Sequence, residues 1–221
     1  MAEEVSFIGG SQNCCVCFID LVDSTRITTI EITQSEKIKI YYSVFINTMA
    51  AIARDFDVTI IKNTGDSLLY YFPKTTSPFA NSNVSDFKKV FECGLTMLGV
   101  NPIINARLKE KGLPKVSYRI SADYGRVEVA KSLTSTTEDL FGPTVNLCSK
   151  INSIASPNQM VIGSNLYLVT KAAFEDNEYF FNKVDDYSID DNSENLYPVY
   201  SVVNKDKKNN IDRIEMYKNI V

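Results

Sequence analysis

The chain reads as an α+β domain, one mixed sheet with helices packed against it, and three features predict that class. The first is a pair of strand-like segments, Cys14–Ile19 and Val58–Phe72, the second divided by Asn63-Thr64-Gly65-Asp66. β-branched and aromatic runs on both sides of a polar, Gly-containing tip predict a β-hairpin. The second is a stripe of Ile38, Tyr41, Tyr42, Phe45, Ile46, Met49, Ile52, Ala53 and Phe56. Spacing by three and four predicts an amphipathic helix, and core packing is its simplest use. The third is a return to strand patterns at Tyr179–Val184 and Tyr197–Val203.

Taken in order, residues 1–12 are expected to be a flexible lead-in, residues 13–203 the domain and residues 204–221 a polar, solvated tail. Gly9-Gly10-Ser11 is not a phosphate loop, because neither G-x-G-x-x-G nor G-K-[ST] follows. The strand ending at Asp20 runs into the turn Leu21-Val22-Asp23-Ser24-Thr25. After the hairpin, Lys74–Ser85 reads as a surface loop, with Ser85 as N-cap of a helix that buries Phe87, Val90, Phe91, Leu95 and Leu98. Asn101-Pro102 divides that helix, and Lys111-Gly112 closes it.

Val116–Ala130 is predicted to be a second hairpin turning at Asp123-Tyr124-Gly125, followed by a Ser/Thr loop from Lys131 to Thr137. Pro143 suits the first turn of a helix whose apolar face uses Val145, Cys148, Ile151 and Ile154. Asn146 and Lys150, four apart, project from one face of it. Met160–Ile162 is a short strand, and Ser164 caps a helix running to about Phe174.

Composition narrows the chemistry. The 221 residues, 44% hydrophobic and 23% charged, suit a single globular domain. No apolar stretch or basic leader predicts a membrane span or secretory signal, and a net charge of −4 offers no global attraction for nucleic acid. Five cysteines, an odd number with three inside one apolar run, read as buried small hydrophobes of a reducing, cytoplasmic setting. Histidine is absent, so an imidazole base or His-ligated zinc is excluded. Carboxylates, Lys, Arg, Tyr, backbone amides and metal-bound water are left.

Asp20 ends a strand before a turn, and Asp66 flanks the tip of the hairpin. If the two strands are neighbours, the carboxylates converge at one sheet edge. Two Asp with few other protein ligands is the recipe for Mg²⁺, which keeps positions for water and substrate phosphates.

In order, F-I-D-L-V-D-S-T (18–25), K-N-T-G-D (62–66) and D-L-F-G-P-T-V-N-L-C-S-K (139–150) resemble the signature blocks of class III adenylate/guanylate cyclase catalytic domains, and the likeness continues through A-S-P-N-Q-M-V-I-G (155–163). The resemblance implies a ferredoxin-like βαββαβ core with extra strands and helices, working as a head-to-tail homodimer. It implies that Asp20 and Asp66 hold two Mg²⁺ or Mn²⁺ ions per site, while Lys62 and Asp139 of the other subunit read the base. Asn146 matches the asparagine near the ribose, and Leu21, Val22, Asp23, Ser24 and Thr25 match the turn whose amides receive the triphosphate. A Lys donor for ring N1 and a carboxylate acceptor for the exocyclic amine favour ATP.

Two positions depart from the family pattern. Lys150 stands where an arginine usually contacts the α-phosphate, which keeps the charge but loses the planar fork. The segment before Asp139 offers only Ser and Thr, with Lys131 the nearest cation, and Lys183 is the candidate for a C-terminal phosphate lysine. The expected activity is cyclisation of ATP to 3′,5′-cyclic AMP and pyrophosphate. Rival readings are a cyclase for GTP or a pyrimidine triphosphate, or a weakly active nucleotide-binding regulatory module. Regulation is expected from a separate protein, from substrate level or from the tail.

Overall fold

A computed structural model describes residues 5–7, 11–63, 65–77, 84–132, 138–173, 178–190, 195–205 and 208–219. The elements are β1 (Val5–Phe7), β2 (Gln12–Leu21), α1 (Ser24–Arg26) continuing as a π-helical turn (Ile27–Glu31), α2 (Ser35–Asp55), β3 (Thr59–Asn63), β4 (Ser67–Phe72), α3 (Val84–Gly99), α4 (Asn101–Glu110), β5 (Tyr118–Ser132), β6 (Glu138–Phe141), α5 (Pro143–Ile151), β7 (Gln159–Gly163), α6 (Ser164–Ala173), β8 (Tyr179–Ser188), β9 (Leu196–Asn204) and α7 (Lys208–Met216). The sheet order is β3-β4-β2-β5-β7-β9-β8, with β1 and β6 also pairing with β5. Among the described residues only the β5–β7 pair is parallel, which makes the sheet mixed and mostly antiparallel, as expected.

Alternation along β2 builds two cores. Cys15, Cys17, Ile19 and Leu21 face the larger one, where Tyr41, Phe45, Met49 and Ile52 of α2 and Phe87, Val90 and Phe91 of α3 are buried. Cys14 and Val16 face the other, with Ile61, Val127, Leu140 and Cys148. All five cysteines are buried and free, as their apolar context predicts. Among the described residues, no helix is long and apolar enough to cross a membrane.

The structure corrects four expectations. Val116–Ala130 is not a hairpin: β5 is one strand paired with β2 from Gln12↔Val127 to Leu21↔Tyr118. Asp123 is fully buried there, accepting from Tyr197 Oη at 2.7 Å, Tyr124 N at 2.9 Å and Leu166 N at 3.3 Å. Turn chemistry has been put to use as a buried acceptor inside a strand.

Part of the lead-in is strand, since Val5–Phe7 pair with Ala130–Ser132. Ser85 is not the N-cap, because α3 begins at Val84. The tail is not simply solvated: α7 packs on α3, Tyr217 is buried and donates to Asp55 Oδ2 at 2.7 Å, and Arg213 donates to Glu92 Oε2 at 2.8 Å. Ile214 and Tyr217 also pack against the larger core, so apolar contact and these polar bonds hold the tail together. The middle of the Lys74–Ser85 loop, positions 133–137 of the Lys131–Thr137 loop and Thr64 of the hairpin tip lie outside the described residues.

Candidate active site

The β2–β4 pairing brings the two sequence-distant carboxylates together. Asp20 lies opposite Ser67, the residue after Asp66, so both acids sit at one end of neighbouring strands. Leu21 N donates to Asp66 O at 3.1 Å, and Ser24 Oγ donates to Asp66 Oδ2 at 2.6 Å. The turn is possible because Asp23 takes the left-handed conformation (φ 57°), one that Asp tolerates better than most residues. Beyond it the chain winds into α1 and the π-helical turn. These segments enclose a cleft of about 660 Å³ lined by Asp20, Leu21, Asp23, Ser24, Thr25, Arg26, Thr29, Ile30 and Asp66.

Burial pushes the Asp20 carboxyl up to about 6, the Asp66 charge adds to the rise, and Arg119, its register partner on β5, opposes it. Two crowded carboxylates favour a bound cation, which would relieve their repulsion. The donors are hard oxygens, as Mg²⁺ or Mn²⁺ requires. Among the described residues, no three His, Cys, Asp or Glu side chains gather into a complete metal cage. Asp20 and Asp66 therefore fit a cation that takes further oxygens from water and substrate.

Of the turn amides, Leu21 N is engaged by Asp66 and Val22 N by Ser117 O at 2.8 Å. Asp23, Ser24 and Thr25 then carry the amides best placed for a phosphate.

Of the other expected site residues, Asp139, Asn146 and Lys150 are not among those lining this cleft. β6 packs against β3, and Leu140 shares a core cluster with Ile61, which places Asp139 and the backbone of Lys62 on neighbouring strands of one patch. The Lys62 side chain lies outside the described residues; its backbone pairs with Leu69. Asp139 is half-buried, and its Oδ1 accepts from Leu140 N at 2.9 Å. Pro143 opens α5 as expected, Cys148 and Ile151 point inward, and Asn146 and Lys150 are exposed. Lys183 lies on β8, at the sheet edge remote from β3 and β4, and pairs with Asp186 at 2.8 Å. Within one chain the residues thus form two groups, an acidic cleft and a separate Asp139–Asn146–Lys150 surface.

The sequence reading missed Arg26, which lines the cleft, and Arg119, which faces Asp20 across the β2–β5 ladder. Arg26 was legible as the cation directly after the turn. Arg119 was not, because its role depends on knowing that β5 is a single strand beside β2.

The family model of the adenylate and guanylate cyclase catalytic domain matches residues 8–202. The chain belongs to this family. As a class III nucleotidyl cyclase domain it is similar in fold to solved relatives of low sequence identity. The guanylyl cyclase Cya2 is 20% identical, with 90% of this chain and 96% of that one covered at a TM-score of 0.73. The adenylyl cyclase CyaB from P. aeruginosa is also 20% identical, with 90% and 97% covered at 0.73. The guanylate cyclase domain of RhGC from Catenaria anguillulae, in complex with GTP, is 16% identical, with 90% and 100% covered at 0.69. No curated protein matches the sequence. Adenylyl and guanylyl cyclases stand side by side among the relatives, so the cyclase fold does not choose the base.

Proposed function

We propose that this cyclase domain converts ATP to 3′,5′-cyclic AMP and pyrophosphate, with two divalent ions per site and each site shared between two copies of the chain. The observation that carries this reading is the convergence of Asp20 and Asp66 with the Leu21–Thr25 turn around one cleft. Asp20 and Asp66 hold the cations, and the Ser24 hydroxyl orients the Asp66 carboxylate. Bound divalent ions supply acidification of the ribose 3′-hydroxyl and neutralise charge on the leaving pyrophosphate. The amides of Asp23, Ser24 and Thr25 cradle the phosphates, as turn amides do for anions.

A second copy completes the site. Asp139, Asn146 and Lys150 lie on a different surface from the acidic cleft, so a head-to-tail pair brings one group against the other. There Lys62 and Asp139 read adenine, Asn146 holds the ribose and Lys150 meets the α-phosphate. A second reading, a nucleotide-binding module of low turnover, draws support from Lys150, because an ammonium cannot make the bidentate phosphate contact of a guanidinium.

The test is incubation with ATP, GTP, CTP and UTP in Mn²⁺ and in Mg²⁺, with products identified by mass. Cyclic AMP from ATP alone is expected. Another cyclic nucleotide would overturn the base assignment, and binding without product would favour the low-turnover reading. Mixing Asp66→Ala with Lys150→Ala protein should restore activity through one intact shared site. Heterodimers that form without activity would count against sharing.

A further inference from the structure

Among the described residues, Arg26 is the cation that lines a cleft otherwise presenting Asp20, Asp23 and Asp66 among neutral residues. Lys150 lies outside this cleft, and a polyphosphate entering it meets three carboxylates from the same chain. Its charge must be matched by bound cations and whatever positive side chain stands at the rim. Arg26 stands there, six positions after Asp20, on the helix that leaves the turn.

Its present partner is set by an unusual local winding. Residues five apart on an ordinary α-helix lie about 140° apart around the axis, too far round to face each other well. Here the chain winds as a π-helical turn, with Ile32 N donating to Ile27 O at 3.0 Å. Arg26 and Glu31 come together, Nη1 to Oε1 at 2.6 Å, while Arg26 Nε lies 4.0 Å from Asp23 Oδ2. Single π-turns inside helices are found frequently at functional sites. Both side chains are exposed, 55% for Arg26 and 37% for Glu31, and an exposed ion pair of this kind holds its partners weakly.

We propose that Arg26 is a polyphosphate-binding residue of the cyclase site, parked on Glu31 when the site is empty and transferred to a phosphate when substrate enters. The inference rests on the cyclase reading and extends it to a residue outside the signature blocks. A guanidinium fork gives two parallel hydrogen bonds to phosphate oxygens, which the single Glu31 contact does not exploit. Glu31 is a positioning residue that holds the fork over the cleft and competes with the ligand for it.

Titration calorimetry of inorganic tripolyphosphate in the presence of Mn²⁺, using the full chain, separates this proposal from its foundation. Arg26→Gln should weaken binding about tenfold, the loss of one charge-assisted contact pair, with Arg26→Lys intermediate. Glu31→Gln should tighten binding, roughly two- to threefold, because the competitor is removed while the fork stays. A merely structural ion pair would give equal losses from both partners. If Asp66→Ala abolishes binding while Arg26→Gln leaves it unchanged, the Arg26 assignment falls and the cyclase reading stands. If Asp66→Ala binds as tightly as the parent, or the parent does not bind, the site reading falls and takes Arg26 with it. Weaker binding in Glu31→Gln would overturn the competition.

Discussion

Asn63–Asp66 and Asp123–Gly125 carry similar turn chemistry, an aspartate within two residues of a glycine between apolar runs, and the fold uses them in opposite ways. The first is a true reversal between β3 and β4, and its aspartate opens onto the cleft. The second is strand paired with β2 throughout, with β7 alongside as far as Ala122, Gly163 against Asp123 and Thr144 against Gly125, and its aspartate is sealed in the core. A segment with partners on both sides has no room to turn. An Asp-Gly pair therefore reports a need for a short acceptor and a missing Cβ, and the neighbouring strands decide whether that need is a turn or a close contact.

The largest expected difference between the two acids is in activity. Asp66→Ala should lower nucleotide turnover by on the order of 10³-fold or more, as loss of a metal-holding carboxylate does. Its thermal stability should hold or rise, because the like charge beside Asp20 disappears. Asp123→Ala should do the reverse. Tyr197 Oη and the amides of Tyr124 and Leu166 would lose their acceptor, at about 3 kcal/mol or more in denaturant unfolding. An Asp123 variant as stable as the parent would break the comparison.

The pH dependence sharpens it further. Burial pushes the Asp123 carboxyl from 3.8 up to about 6, with the hydrogen bonds from Tyr197, Tyr124 and Leu166 opposing the rise. Burial pushes the Tyr197 hydroxyl up and the Cys148 thiol up to about 12, so both neighbours stay neutral through this range. Between pH 4 and 6 the folded state then binds more protons than the unfolded chain at this site. Stability should be greatest below the unfolded value and decline as pH rises toward 6, by about 3 kcal/mol across the window. Asp123→Asn, which keeps an acceptor and cannot ionise, should flatten that slope. A parallel pair of stability profiles from pH 4 to 7 would remove Asp123 as its source.

Much of the architecture was legible because its signals are local. The β2 and β3–β4 segments follow β-branched and aromatic runs, the α2 stripe became the buried face of α2, and Pro143 opens α5. Of the candidate site, the approach of Asp20 to Asp66 was legible once Asp20 was seen to end a strand before a turn and Asp66 to flank the hairpin tip. What escaped depends on partners distant in sequence. β6 is a short strand held by β5, and α7 is held by Ile214 and Tyr217 on the core together with Tyr217 on Asp55 and Arg213 on Glu92, partners that its short, polar stretch of sequence does not announce. The Arg26–Glu31 pair escaped for another reason, since a spacing of five belongs to neither the helical nor the strand periodicity.

The smallest effects belong to the two glycines, and they separate the two uses most cleanly. Gly125 lies where an added Cβ would come 2.6 Å from Thr144 Oγ1, at the first turn of α5. Gly125→Ala should cost about 2 kcal/mol, crowding added to the strain of its positive φ of 159°, and it should push α5, with Asn146 and Lys150, away from the sheet. Gly65, at φ 92°, has no atom within 4 Å of an added Cβ. Gly65→Ala should cost about 1 kcal/mol from backbone strain alone. Thr144→Ala in the same chain should recover part of the Gly125→Ala loss and none of the Gly65→Ala loss, measured as a double-mutant cycle by denaturant unfolding. Equal coupling at both sites would mean that Gly125, like Gly65, is required for its backbone angle rather than for space. In that case β5 would be a turn-prone segment held straight by its neighbours.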